Sequence, residues 1–262
     1  MNVRADVSRG VRSAPSIEQQ LIAAVERAEL RHDPFDHIVL EQVVDRATYR
    51  TFLAALPGRE SFHYLKHHDA VQKDGSSTRL RMYLYPELLR RLPKEQQSVW
   101  MPLARALCSP GLEQAFKRKF RATLEQRFGK PVEKVRVAPI PILLRDQPGY
   151  RIGIHSDVAR KAITAQFYLP RDESQRDLGT IFHEGKDGEA AARITRMQFL
   201  PASGYAFPVA LTKSWHSAAT ATDSDGERVS MMVTYYVAES PFRRVKLALG
   251  RAALRLGIHP RG

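Results

Sequence analysis

His155 and Asp157 stand two apart in the apolar run RIGIHSDVARKAITAQFYLP, residues 151–170. An extended chain alternates its side chains, so residues i and i+2 share a face. The imidazole and the carboxylate therefore point together, with Ser156 turned away. Such a pair is either part of a metal site or an ordinary strand end. A third ligand has a candidate in KSWHSAAT, where His216 lies 59 residues after Asp157. Twelve residues further on, Arg228 opens a β-branched and aromatic run, with Ser230 on the same face. Two imidazoles and one carboxylate occupy one face of an octahedral Fe(II) and leave three positions open. Dioxygen chemistry needs those open positions: a bidentate co-substrate takes two and dioxygen the third. A planar guanidinium such as that of Arg228 suits a co-substrate carboxylate, which it grips through paired charge-assisted bonds.

These residues need strands to hold them, and the strand signals lie in the second half of the chain. The first half reads as helical. Ser16 and Gln19 form a capping box ahead of Ile17, Leu21, Ala24, Val25 and Ala28 at helical spacing. PFDHIVLEQVV (34–44) reads as a strand. Asp45 caps a helix whose face is Tyr49, Phe52, Leu53 and Leu56, stopped by Pro57 and Gly58. Residues 61–80 look polar and irregular. A helical block from 86 to 128 is broken at Pro93 and at Ser109-Pro110-Gly111, and its last helix carries Leu112, Phe116, Phe120 and Leu124. After Gly129 come seven short segments separated by Gly, Pro or Asp: VEKVRVAPIPILL, YRIGIHSD, KAITAQFYL, LGTIFHE, RITRMQFL, SGYAFPV and RVSMMVTYYV. Many short strands at such spacing predict a sandwich or barrel. The expected organisation is α+β. A flexible N-terminus (1–15) precedes one domain (16–241), made of a helical part (16–130) packed on a β-core (131–241). A basic helix or tail (242–262) follows.

With the motifs in this order, residues 143–238 resemble the double-stranded β-helix (jelly-roll, cupin-like) core of the Fe(II)/2-oxoglutarate-dependent oxygenases. The nearest resemblance is to their prolyl 4-hydroxylase-like branch. AITAQFYLP resembles the third core strand of that family. LGTIF (178–182) resembles its Gly-Gly-x-x-x-Phe/Leu strand, with Leu178 in place of the first Gly. PASGYAFP resembles the turn and strand before the distal histidine. PFDHIVLEQVVDRATYRTFLAALP resembles the strand and helix that often precede the core. The resemblance implies that His155, Asp157 and His216 ligate Fe(II) and are catalytic. It implies that Arg228, with Ser230 and Tyr168, holds the distal carboxylate of 2-oxoglutarate. The reaction it implies is hydroxylation of an unactivated C–H bond in a small molecule, sugar, lipid or peptide, consuming dioxygen, with ascorbate as an accessory reductant. Asp157 favours hydroxylation over halogenation, because halogenases of that superfamily lack the carboxylate and bind chloride there.

The formal net charge is +13, which suits nucleic acid, a membrane surface or an anionic substrate. Residues 242–262 hold six Lys/Arg and no acid, leaving +7 for the first 241 residues. Their apolar stripe (Phe242, Val245, Leu249, Ala252, Leu256) fits either packing on the protein's own body or a peripheral contact of residues 242–256 with an anionic membrane. Nucleic acid is disfavoured: the nucleic-acid demethylases of the family carry a second Arg six residues after the first, and here that position is Thr234. A rival of another class is a basic binding module, for membrane or nucleic acid, with an inactive β-core. A cupin-type isomerase usually places His-x-His where this chain has His-x-Asp. Cys108 is the only cysteine, so no disulfide framework or multi-cysteine metal site exists, and a reducing cytoplasm fits. No apolar run reaches the ~18 residues of a membrane span, and the N-terminal residues lack the apolar region of a secretory signal. His63, His67 and His68 read as a solvated loop, with a second metal site as the alternative. His183 is either structural or turned towards the pocket.

Overall fold

A computed structural model of the chain describes residues 14–65, 77–185 and 194–258. Helices form where the local signals agree. The Ser16 hydroxyl accepts from the Gln19 N–H, and the Gln19 side chain accepts from the Ser16 N–H. Together they cap α1 (Ile17–Arg27), which buries Leu21, Ala24 and Val25. Two short strands follow, β1 (Leu30–Arg31) and β2 (His37–Leu40). Asp45 caps α2 (Arg46–Ala54), which buries Tyr49 and Phe52. Then come β3 (His63–Tyr64), β4 (Arg79–Tyr83), α3 (Pro86–Leu89), α4 (Lys94–Leu107), α5 (Pro110–Lys119) and α6 (Arg121–Phe128). The one helix expected over Leu112 to Leu124 is two, because Phe120 leaves the helical region at φ −105 and ψ 24. Gly129, at φ 63, ends α6 in the left-handed conformation that glycine adopts without strain.

The second half holds β5 (Val137–Asp146), β6 (Ile152–His155), β7 (Lys161–Tyr168), β8 (Thr180–His183), β9 (Ile194–Arg196), β10 (Gly204–Pro208), β11 (Trp215–Ala218) and β12 (Arg228–Val237). The basic helix α7 (Pro241–Arg255) follows. Each of the seven expected segments contains a strand. The strands not expected from the sequence are the two-residue β1, β3 inside the stretch read as irregular, β4 running out of its end, and β11, which carries His216. The strands form two antiparallel sheets, ordered β1-β2-β10-β7-β12-β5-β4-β3 and β6-β11-β8-β9.

Side-chain alternation divides the large sheet into two unlike faces. Ile163, Ala165 and Phe167 of β7 and Met231, Val233 and Tyr235 of β12 join Leu21, Val25, Trp100 and Phe116 of the helices in the main core. Each large apolar side chain fully buried there stabilises the fold by about 1.5–3 kcal/mol. The alternate residues, Thr164, Gln166 and Tyr168 of β7 with Arg228, Ser230 and Thr234 of β12, are also buried but mostly polar. On that face Tyr168, Tyr205 and Phe207 pack against Phe182 of the small sheet and against Phe199. The large sheet is thus covered by helices on one side and by the small sheet on the other. Polar groups buried without function would be costly, so the second face is where the chemistry belongs. Gly204 brings β10 against β7: a Cβ there would stand 2.2 Å from the Gln166 carbonyl oxygen.

Candidate active site

β6 and β11 pair with His155 directly opposite His216. Opposed residues of an antiparallel pair project to one face, and the two ring centroids lie 4.2 Å apart. Asp157 sits two residues past the end of β6. Its Oδ2 accepts from the Thr164 hydroxyl at 2.7 Å, and its Oδ1 accepts from the Lys161 ammonium. Ligand atoms of His155, Asp157 and His216 all lie within 4.8 Å of one another. Among the described residues no other three His, Cys, Asp or Glu side chains converge in this way.

The ring orientations matter as much as the distance. His155 Nδ1 faces the Gly153 carbonyl at 3.0 Å, and His216 Nδ1 faces the Ser214 carbonyl at 3.0 Å. A carbonyl oxygen only accepts, so each Nδ1 carries a proton, and in the neutral ring that leaves the lone pair on Nε2. Backbone partners of this kind fix the tautomer and orientation of metal-binding histidines. Burial holds the His216 pKa down to about 4. Burial pushes Asp157 the other way, but Lys161, His216 and the Thr164 hydroxyl outweigh it and hold the carboxyl at about 2. Near neutral pH His216 is an uncharged imidazole and Asp157 an anion, the protonation states that ligate a metal.

The second cluster lies further along the same face. Arg228 is 1% exposed. Its Nε donates to the Leu178 carbonyl at 2.7 Å and its Nη1 to Asp146 Oδ2 at 2.8 Å. Asp146 is fully buried and also accepts from Arg79, at 2.5 Å to Nε and 3.0 Å to Nη2. Burial opposes the charge on Arg79, but the Asp146 carboxylate more than offsets it and raises the guanidinium pKa above its usual value. Two guanidinium groups therefore share one carboxylate, for a local charge of +1. Arg228 Nη2 is buried with no hydrogen-bond partner. Phe199 and Tyr168 flank the guanidinium, with ring centroids 5.0 and 5.6 Å from Cζ. The Tyr168 hydroxyl accepts from the Thr180 N–H at 3.0 Å. Ser230 Oγ accepts from Gln166 Nε2 at 2.7 Å, and Gln166 Oε1 accepts from the Tyr205 hydroxyl at 2.6 Å. An aromatic floor joins the two clusters, from His216 to Phe207 (5.0 Å), Phe207 to Tyr205 (6.0 Å) and Tyr205 to Tyr168 (5.8 Å).

No protein-family model matches the sequence, and no curated protein matches it. Solved structures do resemble the chain in three dimensions. A Pseudomonas putida prolyl-4-hydroxylase is 12% identical, with a TM-score of 0.52 over 85% of this chain and 100% of that one. A Trichoplax adhaerens prolyl hydroxylase, solved with a peptide fragment of the hypoxia inducible factor oxygen degradation domain, is 8% identical. Its TM-score is 0.53 over 88% of this chain and 92% of that one. A rice dioxygenase for auxin oxidation is 14% identical, with a TM-score of 0.51 over 89% of this chain and 91% of that one. The chain has the fold of these enzymes. At such identities the likeness is one of fold, and the site has to be argued from its own residues.

Some of the other singled-out residues fall elsewhere. In the β8–β11 register Phe182 opposes His216 and His183 opposes Trp215, so His183 turns to the other side of the small sheet. There His183 Nε2 meets Ser217 Oγ at 2.8 Å, a structural role. His63 is exposed on β3, while His67 and His68 lie outside the described residues. Burial pushes the Cys108 thiol up to about 11, which makes it a poor nucleophile. The residues missed from sequence are Arg79, Asp146, Lys161, Thr164 and Gln166. A signal for the first two existed. Asp146 ends β5 and opposes both Arg228 and Arg79 in the strand register. An acid closing an apolar strand needs a cation opposite.

Proposed function

We propose that this chain is an Fe(II)- and 2-oxoglutarate-dependent dioxygenase that hydroxylates an unactivated C–H bond of a small-molecule, sugar, lipid or peptide substrate. In this reading it works in the cytoplasm. The catalytic unit is residues 16–241, a double-stranded β-helix core with helices packed on it. The observation that carries the reading is the oriented triad: ligand atoms of two imidazoles and one carboxylate within 4.8 Å, each side chain held by its own hydrogen bond before any metal arrives. An inert core in a binding module gives no reason for such an arrangement on a buried face.

His155, Asp157 and His216 would hold the iron. The bound Fe(II) would activate dioxygen, the oxidant, with 2-oxoglutarate as the reductant that is decarboxylated to succinate, one oxygen atom going to succinate and the other to the substrate C–H. Lys161 and Thr164 keep the Asp157 carboxylate ionised and aimed. Arg228 Nη2 is a buried donor lacking an acceptor, beside a cluster of charge +1. A distal carboxylate of the co-substrate supplies both the missing acceptor and the missing negative charge. Tyr168 and Ser230 hydroxyls accept from their neighbours and retain a proton each, so both can donate to that carboxylate. Phe182, Tyr205 and Phe207 line the floor with apolar surface, which excludes water and strengthens the charge-assisted bonds. The test is turnover. Protein supplied with Fe(II), ascorbate and 2-oxoglutarate is presented with metabolite and peptide libraries. Succinate release and a product heavier by one oxygen are expected. No Fe(II)-dependent succinate release under any condition would overturn the reading.

A further inference from the structure

Helix α7 has two apolar edges, and the protein covers only one. Ser240 caps it, accepting from the Arg243 N–H at 3.2 Å. On the inner edge Leu254 is buried, and Leu247 and Arg251 are half-buried. Arg251 grips the Glu87 carboxylate with Nε and Nη2 and lies 4.3 Å from the Tyr85 ring centroid. Arg91 donates to the Arg255 carbonyl. The helix is therefore fastened to the body, and Arg251 is a structural cation rather than a solvated one. The outer edge is different. Phe242, Val245, Leu249 and Leu256 are 75%, 56%, 64% and 79% exposed. With Ala252 they recur every three or four residues, which on a helix makes one continuous stripe opposite Leu247, Arg251 and Leu254. Scattered exposed apolar residues are ordinary, but a continuous stripe marks an interaction surface.

We propose that this stripe docks the protein on an anionic lipid surface. Charge selects the occupant. Lys246 lies beside the stripe on one side and Arg255, which also reaches Glu87 at 3.3 Å, on the other. Arg243 and Arg244 follow further round the helix, all four are exposed, and no acid occurs from 241 to 258. A second copy of the chain would bring two acid-free cationic helices together. A bilayer carrying anionic headgroups accepts both the stripe and its rim: the apolar side chains enter the headgroup boundary while the long cationic stems reach phosphate. No described helix is long and apolar enough to cross a membrane, so α7 lies in the plane of the surface. The inference does not depend on the iron-site reading, because its readout is vesicle binding rather than turnover.

The experiment is sedimentation of the full-length protein with vesicles of phosphatidylcholine, with and without phosphatidylglycerol. Binding to the phosphatidylglycerol vesicles alone is expected, falling with added salt. Each basic group near the surface is worth about fivefold in partition, so Arg243→Gln with Lys246→Gln should weaken binding by up to roughly 25-fold. Phe242→Ser with Leu249→Ser should weaken it by at least about tenfold. All four side chains are exposed, so the thermal midpoint should not move. Absence of binding to phosphatidylglycerol vesicles overturns the proposal, as does unchanged binding by either double variant. A dimer in solution that Phe242→Ser with Leu249→Ser dissolves overturns it in favour of a second copy.

Discussion

Replacing Arg228 by Met separates its two duties. In the structure Nε and Nη1 serve the fold, through the Leu178 carbonyl and Asp146, while Nη2 has no partner. The loss of stability should be moderate, because Asp146 keeps both bonds from Arg79 and does not become an orphaned charge. Two charge-assisted bonds are lost, at about 1.5–3 kcal/mol each, but the further cost of about 3–5 kcal/mol for stranding a buried ion is avoided. The loss of 2-oxoglutarate affinity should be large. Removing one partner of a buried hydrogen-bonded charge pair costs about 2–5 kcal/mol, or roughly 30- to 5,000-fold. The assay is calorimetric titration of 2-oxoglutarate into protein loaded with Mn(II), alongside thermal denaturation without it. Arg228→Lys keeps a cation against Asp146 but loses the fork, and guards against a Met variant that fails to fold. A stability loss with unchanged 2-oxoglutarate affinity would show that Arg228 serves the fold alone and would refute the reasoning.

Tyr168→Phe should weaken 2-oxoglutarate binding by about 1 kcal/mol, in the same titration, and an unchanged affinity would remove Tyr168 from the co-substrate site. Stability of the metal-free protein should fall in acid. His216 sits at about 4, below its free value of 6.5, so the unfolded chain takes up that proton first and stability drops as pH falls from about 6.5 to 4. Asp157, at about 2 against 3.8, adds a loss in the same direction at still lower pH. The slope for one proton is about 1.4 kcal/mol per pH unit, and a flat denaturant-derived profile from pH 7 to 5 would contradict it. Gly179→Ala should destabilise strongly, because a Cβ there would stand 1.5 Å from the Met197 carbonyl oxygen and the backbone must move. A thermal midpoint equal to that of the parent protein would show that the close approach is not needed.

The triad was legible because its members carry unmistakable chemistry at strand spacing, and the register delivered them to one face. The strand that holds His216 was not legible. KSWHSAAT has little alternation, and four residues of it form β11 only because β6 and β8 pair on either side. β4 was hidden for another reason. RLRMY does alternate, with Leu80 and Met82 buried, but a polar stretch precedes it. Missing β4 meant missing Arg79, and with it the reason that Arg228 is not a free fork. The Arg79–Asp146 pairing spans 67 residues, and no local pattern announces it. The continuous helix expected over Leu112 to Leu124 failed because apolar spacing says which face is buried, not where the axis turns. The tail's stripe was legible as a stripe, but packing of that stripe on the body is not what forms. Its residues are exposed, and the helix is held by contacts with Glu87 and Tyr85 that are tertiary and left no local trace.

The central claim is that His155, Asp157 and His216 together bind iron and leave room for 2-oxoglutarate. The most direct measurement is anaerobic titration of Fe(II) followed by 2-oxoglutarate, with stoichiometry read by calorimetry and the charge-transfer absorption of a keto acid chelated to Fe(II). One Fe(II) per chain is predicted, with the absorption appearing only after 2-oxoglutarate is added and vanishing in Asp157→Ala and His216→Ala. Absence of saturable Fe(II) binding, or an undiminished absorption in both variants, would contradict the account.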